Sequence, residues 1–460
     1  MNITRDRAFY RSLIALTLSI ALQNLLAYSV NLADNVMLGA YSQTALSGSA
    51  LCNQIQFLLQ MMVSGAAEGV VVLGSQYWGR KQIGAIPPIV GAAMRFGLLL
   101  SALLFGAALA FPAQCLRLIT PEADVIAEGA KYLRIVCFTY CIFAVTQILL
   151  AALRAIGIVR IGYVISLSTL IINVGLNSLL IFGRMGCPEL GIRGAAVATL
   201  ISRCVELGIV VLYICFREHR LNLTIRKLAV PNRSFVRDYY HTTTPMFLNQ
   251  AQWGLAQLVQ TAVLGHLGEA AIAANSVATI VFQVVSVIVY GAASASGMLI
   301  GRTIGAGRQE ALRPMVHALL LIFSLNGLAA GTTIYLVRRF VLSFYTLTPE
   351  AHQLAMQFMT ILSVTVVGTS IQMATDSGII RGGGDTRFSA RMNFFSMWFI
   401  VIPGAVLAAF VFHAPAVWVF FLLKWDQLYK ILPVMIHLHK WKWPKVLVRA
   451  HPEAAEPTNE

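Results

Sequence analysis

The sequence predicts an all-α membrane protein with twelve transmembrane helices in two six-helix lobes. Of its 460 residues, 58% are hydrophobic and only 12% are charged, whereas soluble domains carry about 25% charged residues. Many apolar runs reach the roughly 20 helical residues that cross a hydrocarbon core of about 30 Å. An internal repeat divides these runs into two equal sets. Together the three observations exclude a soluble globular fold.

Twelve apolar runs are separated by polar loops. We predict membrane spans at residues 13–38, 50–74, 88–111, 132–152, 161–183, 194–216, 244–264, 272–298, 314–337, 355–378, 392–412 and 415–437. The longest polar connection follows the sixth run. We therefore predict an N-terminal lobe at 1–216, a cytoplasmic linker at 217–243, a C-terminal lobe at 244–445 and, because it is polar and acidic, a disordered tail at 446–460.

Basic residues are concentrated in alternate loops. The N-terminal segment, the linker and the region 440–449 are rich in Lys and Arg, and so are the even-numbered loops. By the positive-inside rule, both termini are predicted to be cytoplasmic, and the even number of spans agrees. The expected location is the plasma (inner) membrane. The net charge of +15 thus reflects membrane topology and does not indicate nucleic acid as a partner.

The two halves are copies of one another. At a constant shift of 226 residues, Leu38–Gly39 matches Leu264–Gly265, and Gly65–Ala67 matches Gly291–Ala293. Further along, Thr120–Ala123 recurs as Thr348–Ala351, with a shift of 228. Chance could produce one match between small residues, but not an ordered series. Because six spans per copy is an even number, both copies share one orientation, which predicts two lobes related by an axis along the membrane normal, with a cavity between them.

Asp34 lies near the far end of the first predicted span. A carboxylate inside a membrane costs about 2.5–3.5 kcal/mol on insertion scales, so it is expected to face protein, water or an ion rather than lipid. Two readings follow. Asp34 binds a cation or a proton, or it caps a neighbouring helix or pairs with a buried Arg.

Several motifs resemble a known family. Besides Asp34, they are Ser75–Gly79 (SQYWG) at the end of the second span, Arg381–Arg387 (RGGGDTR) after the tenth, and Leu423–Lys430 (LKWDQLYK) in the last. Together with the six-plus-six repeat, they resemble the bacterial multidrug and toxic compound extrusion (MATE) transporters. The resemblance extends over about residues 10–445. It implies antiport: an amphipathic, often cationic compound leaves the cell while Na⁺ or H⁺ enters.

The resemblance also implies a cation site. In the branch with a site in the N-terminal lobe, it comprises the first-span Asp with polar residues of the fifth and sixth spans. The corresponding residues here are Asp34, Asn173, Asn177 and Thr199. Their hard oxygen atoms suit Na⁺, and protonation of Asp34 is the alternative. The position of Asn177 is often Asp in that branch, which leaves the identity of the ion open.

A promiscuous substrate cavity is expected to be lined by polar amides and by adaptable Met and Phe side chains. The residues chosen as candidates are Gln54, Phe57, Glu68, Met246, Asn249, Gln250, Gln257 and Phe282. The alternative for the amides is hydrogen bonding between helices, and for Met and Phe it is packing in the core or against lipid. Glu68 is a second candidate proton carrier or cation-binding group, or else a structural acid.

No sequence pattern indicates an enzyme, a cofactor or a metal centre other than the Na⁺ site. The seven Cys lie mostly within apolar runs and resemble buried hydrophobes more than a disulfide framework. Near the last span, Lys424, Asp426 and Lys430 have helical spacing and predict an internal ion-pair set. A monomer is expected. Alternatives are a lipid-linked saccharide flippase, which would need a cavity rich in Arg or Lys, and a membrane-embedded enzyme or receptor.

Overall fold

The computed structural model is helical and has no strand in the residues that it describes, which are 4–120, 122–221, 223–224, 227–228, 232–345 and 347–448. In the first half, the α-helices are α1 (Arg7–Tyr41), α2 (Gln43–Gly79), α3 (Ile86–Ala110), α4 (Pro112–Arg117), α5 (Ala123–Val136), α6 (Thr139–Ala155), α7 (Arg160–Leu180) and α8 (Ile192–Phe216). Short 3₁₀ helices at Ile83–Ala85 and Arg184–Gly186 lie in the connections.

The second half begins with four long helices and ends in shorter pieces. Its α-helices are α9 (Arg233–Gly265), α10 (Glu269–Gly305), α11 (Gln309–Leu342), α12 (Pro349–Ala374), α13 (Thr386–Phe395), α14 (Ile402–Val406), α15 (Ala416–Lys424), α16 (Asp426–Tyr429) and α17 (Ile431–His439). Stretches of π-helix at Thr375–Arg381, Ser396–Val401 and Leu407–Val411 continue the tenth and eleventh predicted spans.

Membrane-spanning helices account for most of the described chain. Among the described residues, nine helical segments are long and apolar enough to cross a membrane, and α5 and α6, which are bent by 50°, pass the same test when they are taken together as one span. On α1, the side chains of Ile14, Leu18, Leu22 and Leu25 are all exposed and share one helical face. Such an apolar stripe is suited to lipid, because exposing these side chains to water would be unfavourable, whereas exposing them to hydrocarbon is not.

The seventh and twelfth predicted spans differ in detail from the helices observed. Helix α9 begins at Arg233, eleven residues before the predicted start at residue 244. Its five amide side chains between residues 249 and 260 make it less apolar than its neighbours. Its 33 residues extend about 50 Å, which is nevertheless long enough to cross a membrane. The twelfth span consists of α15, α16 and α17, which follow one another from Ala416 to His439.

The described chain forms two compact units. The N-terminal unit comprises Leu22–Gly74 and Gln82–Gln250, and the C-terminal unit comprises the described parts of Met1–Ala21, Ser75–Lys81 and Ala251–Ala450. Each unit has its own apolar core: one includes Leu59, Tyr140 and Ala196, and the other Phe358 and Phe420, whose rings stack at 4.0 Å. The lobe boundaries predicted from the sequence remain a prediction, and residues 449–460 of the predicted tail lie outside the described residues.

The last described segment is ordered by contacts within the C-terminal unit. The Lys445 amide donates to Gly383 O (2.8 Å), and the Leu447 amide donates to Gln76 Oε1 (2.9 Å). The Gln76 amide in turn donates to Lys445 O (3.1 Å). Trp443 is fully buried, and a Cβ on Gly383 would lie 2.3 Å from its indole ring. Within the predicted disordered tail, Leu447 is thus held by a hydrogen bond, and Val448 O accepts another from the Arg80 guanidinium at 3.0 Å.

Gly194 allows α8 to pack closely against α7. A Cβ at this position would lie 2.4 Å from Leu180 O, so the Gly194→Ala variant must separate the two helices. We expect the substitution to destabilise the protein by about 1–3 kcal/mol, as overpacking does elsewhere. Thermal unfolding in detergent measures the loss. Gly208→Ala, on the same helix, is the matched control, since a Cβ there meets nothing within 4 Å. An equal loss in both variants would contradict the close packing.

Candidate functional site

Asp34 forms a hydrogen-bonded group with two asparagines of α7. The Asn177 amide donates to Asp34 Oδ1 at 2.5 Å and to Asn173 Oδ1 at 3.2 Å. Asn173 and Asn177 are one helical turn apart, so both side chains lie on the same face of α7. Both are buried, whereas Asp34 is partly buried. The structure thus brings three of the four predicted cation-site residues into direct contact.

One polar atom of this group lacks a partner. Among the residues that the structure describes, nothing hydrogen-bonds with the buried Asn177 Oδ1, whereas the Asn173 side chain shares a hydrogen bond with Asp34. An unsatisfied buried polar atom costs about 1–3 kcal/mol and calls for an explanation, such as a bound ion or water. The amide hydrogens of Asn177 are both used, so its oxygen is an acceptor available for a cation.

Thr199, the fourth predicted residue, joins the site through a residue that the sequence analysis missed. The Thr199 hydroxyl donates to Ala195 O within α8 (2.9 Å) and shares a side-chain hydrogen bond with Tyr132. Tyr132 is buried and interacts electrostatically with Asp34. Its phenol therefore bonds to the hydroxyl of α8 and lies near enough to the carboxylate of α1 to interact with its charge. No periodicity in the sequence relates Tyr132 to the other three positions.

Close packing between α2 and α5 positions Tyr132. A Cβ on Gly48 would lie 2.8 Å from the backbone nitrogen of Gly129, one turn before Tyr132. The Cys52 thiol, one turn after Gly48, donates to Gly129 O at 3.2 Å. Small residues at such crossings let two backbones approach each other inside a membrane. The two glycines therefore help to hold the phenol beside the Asp34 group.

A cationic side chain also influences the site. Arg203, one turn after Thr199 on α8, interacts electrostatically with Asp34 and forms an ion pair with Glu206 at 2.6 Å. Its guanidinium also lies 5.2 Å from the centre of the Phe143 ring. Since Glu206 is buried and paired with Arg203, the charges of these two side chains cancel, and Asp34 gives the group a net charge of −1. No cluster of three or more His, Cys, Asp or Glu occurs in the described chain, and a single free carboxylate suits a monovalent cation.

The residues predicted to line a substrate cavity have different environments. In the N-terminal unit, Gln54 is exposed and Phe57, Glu68 and Gln250 are partly buried, whereas Met246 and Asn249 are 1% and 7% exposed. In the C-terminal unit, Gln257 is partly buried and Phe282 packs against the apolar core. Their role in binding substrate remains a prediction.

Glu68 has an electrostatic partner in Arg154, a partly buried residue of α6. Next to it, a Cβ on Gly69 would lie 1.9 Å from Thr243 Oγ1, so α2 and α9 are in close contact at this level. A carboxylate that balances a partly buried guanidinium stabilises this region, because either charge alone would be costly away from water. This environment agrees with the structural reading of Glu68.

The C-terminal unit contains a second buried polar network. Asp376, on the π-helical turn, accepts hydrogen bonds through Oδ2 from Ser389 (2.7 Å) and Asn393 (3.3 Å). Lys430 donates to Asn393 Oδ1 (3.1 Å) and pairs with Asp426 at 2.8 Å. The Asp426–Lys430 part of the ion-pair set expected from helical spacing is thus present. Its side chains connect the tenth, eleventh and twelfth spans.

Comparison with known proteins identifies the family. The MatE family model matches residues 19–179 and again residues 245–407. The second match begins 226 residues after the first, the same shift as in the sequence repeat. A probable multidrug resistance protein NorM of Thermotoga maritima is 25% identical over 95% of this chain and 93% of its own. The uncharacterized transporter YisQ of Bacillus subtilis is 26% identical over 87% of this chain and 88% of its own.

Solved structures show the same fold. A crystal structure of MATE in complex with MaL6 superposes with a TM-score of 0.83 at 18% identity, covering 93% of this chain and 95% of that one. A MOP superfamily transporter from Pyrococcus furiosus has a TM-score of 0.84 at 17% identity, covering 96% and 98%. The predicted fold class, twelve transmembrane helices in a six-plus-six repeat, is confirmed. The chain belongs to the MatE family of multi-pass membrane transporters.

Proposed function

We propose that the protein is a cation-coupled antiporter that exports amphipathic, mainly cationic compounds by alternating access. The single observation that carries the proposal is the contact of Asp34 with Asn177 and Asn173, together with the unpartnered Asn177 oxygen beside it. The NorM relatives of Thermotoga maritima and Xylella fastidiosa are named probable multidrug resistance proteins, which supports drug-like compounds as substrates.

The ligand set supports Na⁺ or H⁺ as the coupling ion. Asp34 supplies one negative charge, and Asn173, Asn177 and Thr199 supply neutral oxygen atoms that replace water around a hard cation. A proton would instead occupy Asp34 directly. In both cases the charge of the site changes by one when the ion binds. An ion moving inward across the membrane gains about 2.3 kcal/mol per 100 mV of potential.

Ion binding drives export only if it distinguishes two conformations. A ligand shifts an equilibrium by no more than the difference between its affinities for the two states. Asp34 on α1 and Asn177 on α7 are 143 residues apart in sequence. A movement of one helix against the other would therefore open or close the ligand set. We propose that the ion favours the conformation in which the substrate is held weakly, with a monomer as the working unit and both termini in the cytoplasm.

Transport by the purified protein in liposomes tests the function. Ethidium or norfloxacin movement is followed with an imposed Na⁺ gradient, an imposed pH gradient, or neither. We expect one of the two gradients to accelerate transport against the substrate gradient by about tenfold or more, corresponding to about 1.4 kcal/mol of coupling. Monensin or nigericin, which collapse these gradients, should remove the acceleration. Equal rates under all three conditions would contradict ion-coupled antiport.

A further inference from the structure

A cleft in the C-terminal unit combines basic and apolar side chains. It encloses about 480 Å³ between the start of α13, helix α17 and the last described segment. We name it the Arg391 cleft and define it by the residues that line it: Asp385, Arg387, Phe388, Arg391, Met392, Phe395, His437 and Lys445. It lies outside the Asp34 site, and the proposed antiport assigns no role to it.

Asp385 organises the floor of the Arg391 cleft. One carboxylate oxygen accepts hydrogen bonds from the Phe388 amide (3.4 Å) and from Lys445 Nζ (2.8 Å), and the other lies 3.0 Å from His437 Nε2. The His437 ring stacks on the Phe388 ring with their centres 3.7 Å apart. Among the residues that line the cleft, Asp385 is the single carboxylate, whereas Arg387, Arg391 and Lys445 are each cationic. The lining residues together therefore carry a net positive charge.

The position of the cleft places its charges at a membrane surface. Arg381 ends one membrane-spanning segment and Thr386 begins the next, so the loop between them lies at the lipid–water boundary on whichever side it faces. Arg387 and Arg391 are exposed and occupy successive turns of α13. At 1.5 Å per residue, Arg391 lies within about 8 Å of the start of that helix. That depth corresponds to the lipid headgroups.

The apolar end of the cleft extends towards the acyl region. Phe395, about two and a half turns after Thr386 and about 14 Å along the helix, is 59% exposed. Phe399 lies beyond it, is 64% exposed, and its ring centre is 5.4 Å from that of Phe395. A soluble anion would contact only the arginines. A molecule with an anionic head and hydrocarbon chains would cover the aromatic rings as well.

We propose that the Arg391 cleft binds an anionic phospholipid, with the phosphate at Arg387 and Arg391 and an acyl chain along Phe395. The charge excess favours a lipid with net negative charge over a zwitterionic one. Each Lys or Arg at a membrane surface strengthens the binding of an anionic lipid by roughly fivefold. Removing both arginines should therefore weaken the binding of such a lipid by about 30-fold.

Native mass spectrometry of the full-length protein in detergent, titrated with phosphatidylglycerol, measures the affinity. In the double variant Arg387→Gln/Arg391→Gln we expect phosphatidylglycerol binding to weaken by about 30-fold and phosphatidylcholine binding to stay unchanged. Arg7→Gln/Arg11→Gln is the matched control, since Arg7 and Arg11 are also exposed, four residues apart and in the first two turns of a helix. The control should bind phosphatidylglycerol like the original protein. Arg391→Lys, which retains the charge, should lose less than the double variant.

Two results would overturn the proposal. Equal weakening in both double variants would mean that phosphatidylglycerol recognises the overall charge and not this cleft. Displacement of phosphatidylglycerol by an equal concentration of sn-glycerol 1-phosphate would assign the cleft to a free phosphate, because no acyl chain would then contribute. Thermal unfolding without added lipid shows whether each variant is folded. If the double variant is not folded, the single variants Arg391→Lys and Phe395→Ala test the proposal instead. Each is expected to weaken the binding of phosphatidylglycerol.

Discussion

Asp34→Asn should reduce gradient-driven transport by about 5- to 150-fold, the range of typical coupling free energies. The substitution is nearly isosteric, and the new amide oxygen can still accept the hydrogen bond that Asn177 donates to Asp34 Oδ1. The fold should therefore be preserved. The negative charge is lost, however, so a bound Na⁺ would have no counterion and a proton would have no carboxylate to occupy. Transport in liposomes with an imposed gradient, measured beside thermal unfolding, separates the two effects.

Asp124→Asn is the matched control for this change. Asp124 is exposed in the first turn of α5, so the same loss of charge should leave transport unaffected. Should Asp34→Asn transport substrate as fast as the original protein under a gradient, Asp34 would have no part in coupling. The MatE fold would be unaffected by that result, whereas the proposed mechanism would fail.

Lys430→Met should destabilise the protein by about 3–5 kcal/mol, the cost of removing one partner from a buried ion pair. Lys430 and Asp426 are 2.8 Å apart and their side chains are only 7% and 3% exposed. The substitution also removes the donor to Asn393, whose own amide binds Asp376. The loss therefore affects three spans of the C-terminal unit. Thermal or detergent-induced unfolding of the purified protein measures it.

Lys131→Met provides the comparison, because Lys131 forms an exposed pair with Glu128 on α5. Exposed pairs contribute about 0–1 kcal/mol, since water screens them. The double variant Asp426→Leu/Lys430→Met should recover part of the stability, since apolar groups of similar size replace a buried pair without leaving a charge. Similar losses in Lys430→Met and Lys131→Met would show that the buried pair has no special energetic role.

Hydropathy made most of the fold predictable. Lipid offers no hydrogen bonds to the backbone, so a spanning segment of an all-α protein is helical along nearly all of its length, and that length follows from membrane thickness. The repeat between residues such as Gly65 and Gly291 indicated two copies. The N-terminal extension of α9 and the π-helical turn at Thr375–Arg381 were not predicted, because they depend on tertiary packing and leave no periodic signal.

The candidate site was predictable only in part. The spacing of four between Asn173 and Asn177 places them on one face, but Asp34 was paired with them through resemblance and not through spacing. Tyr132 was missed because its contact with Thr199 depends on the close approach of Gly48 and Gly129. Such backbone crossings are properties of the folded chain. They have no counterpart in composition or in hydrophobic period.

The order of residues 443–448 determines where the chain can be cut or extended. Trp443 fills the space above Gly383, and the backbone of Lys445 and Leu447 satisfies both ends of the Gln76 amide. Shortening the protein to the end of α17 would leave that amide without its partners and open a hole where the indole lies. Affinity tags and reporter fusions therefore belong beyond Val448, and the last helix is not the end of the folded protein.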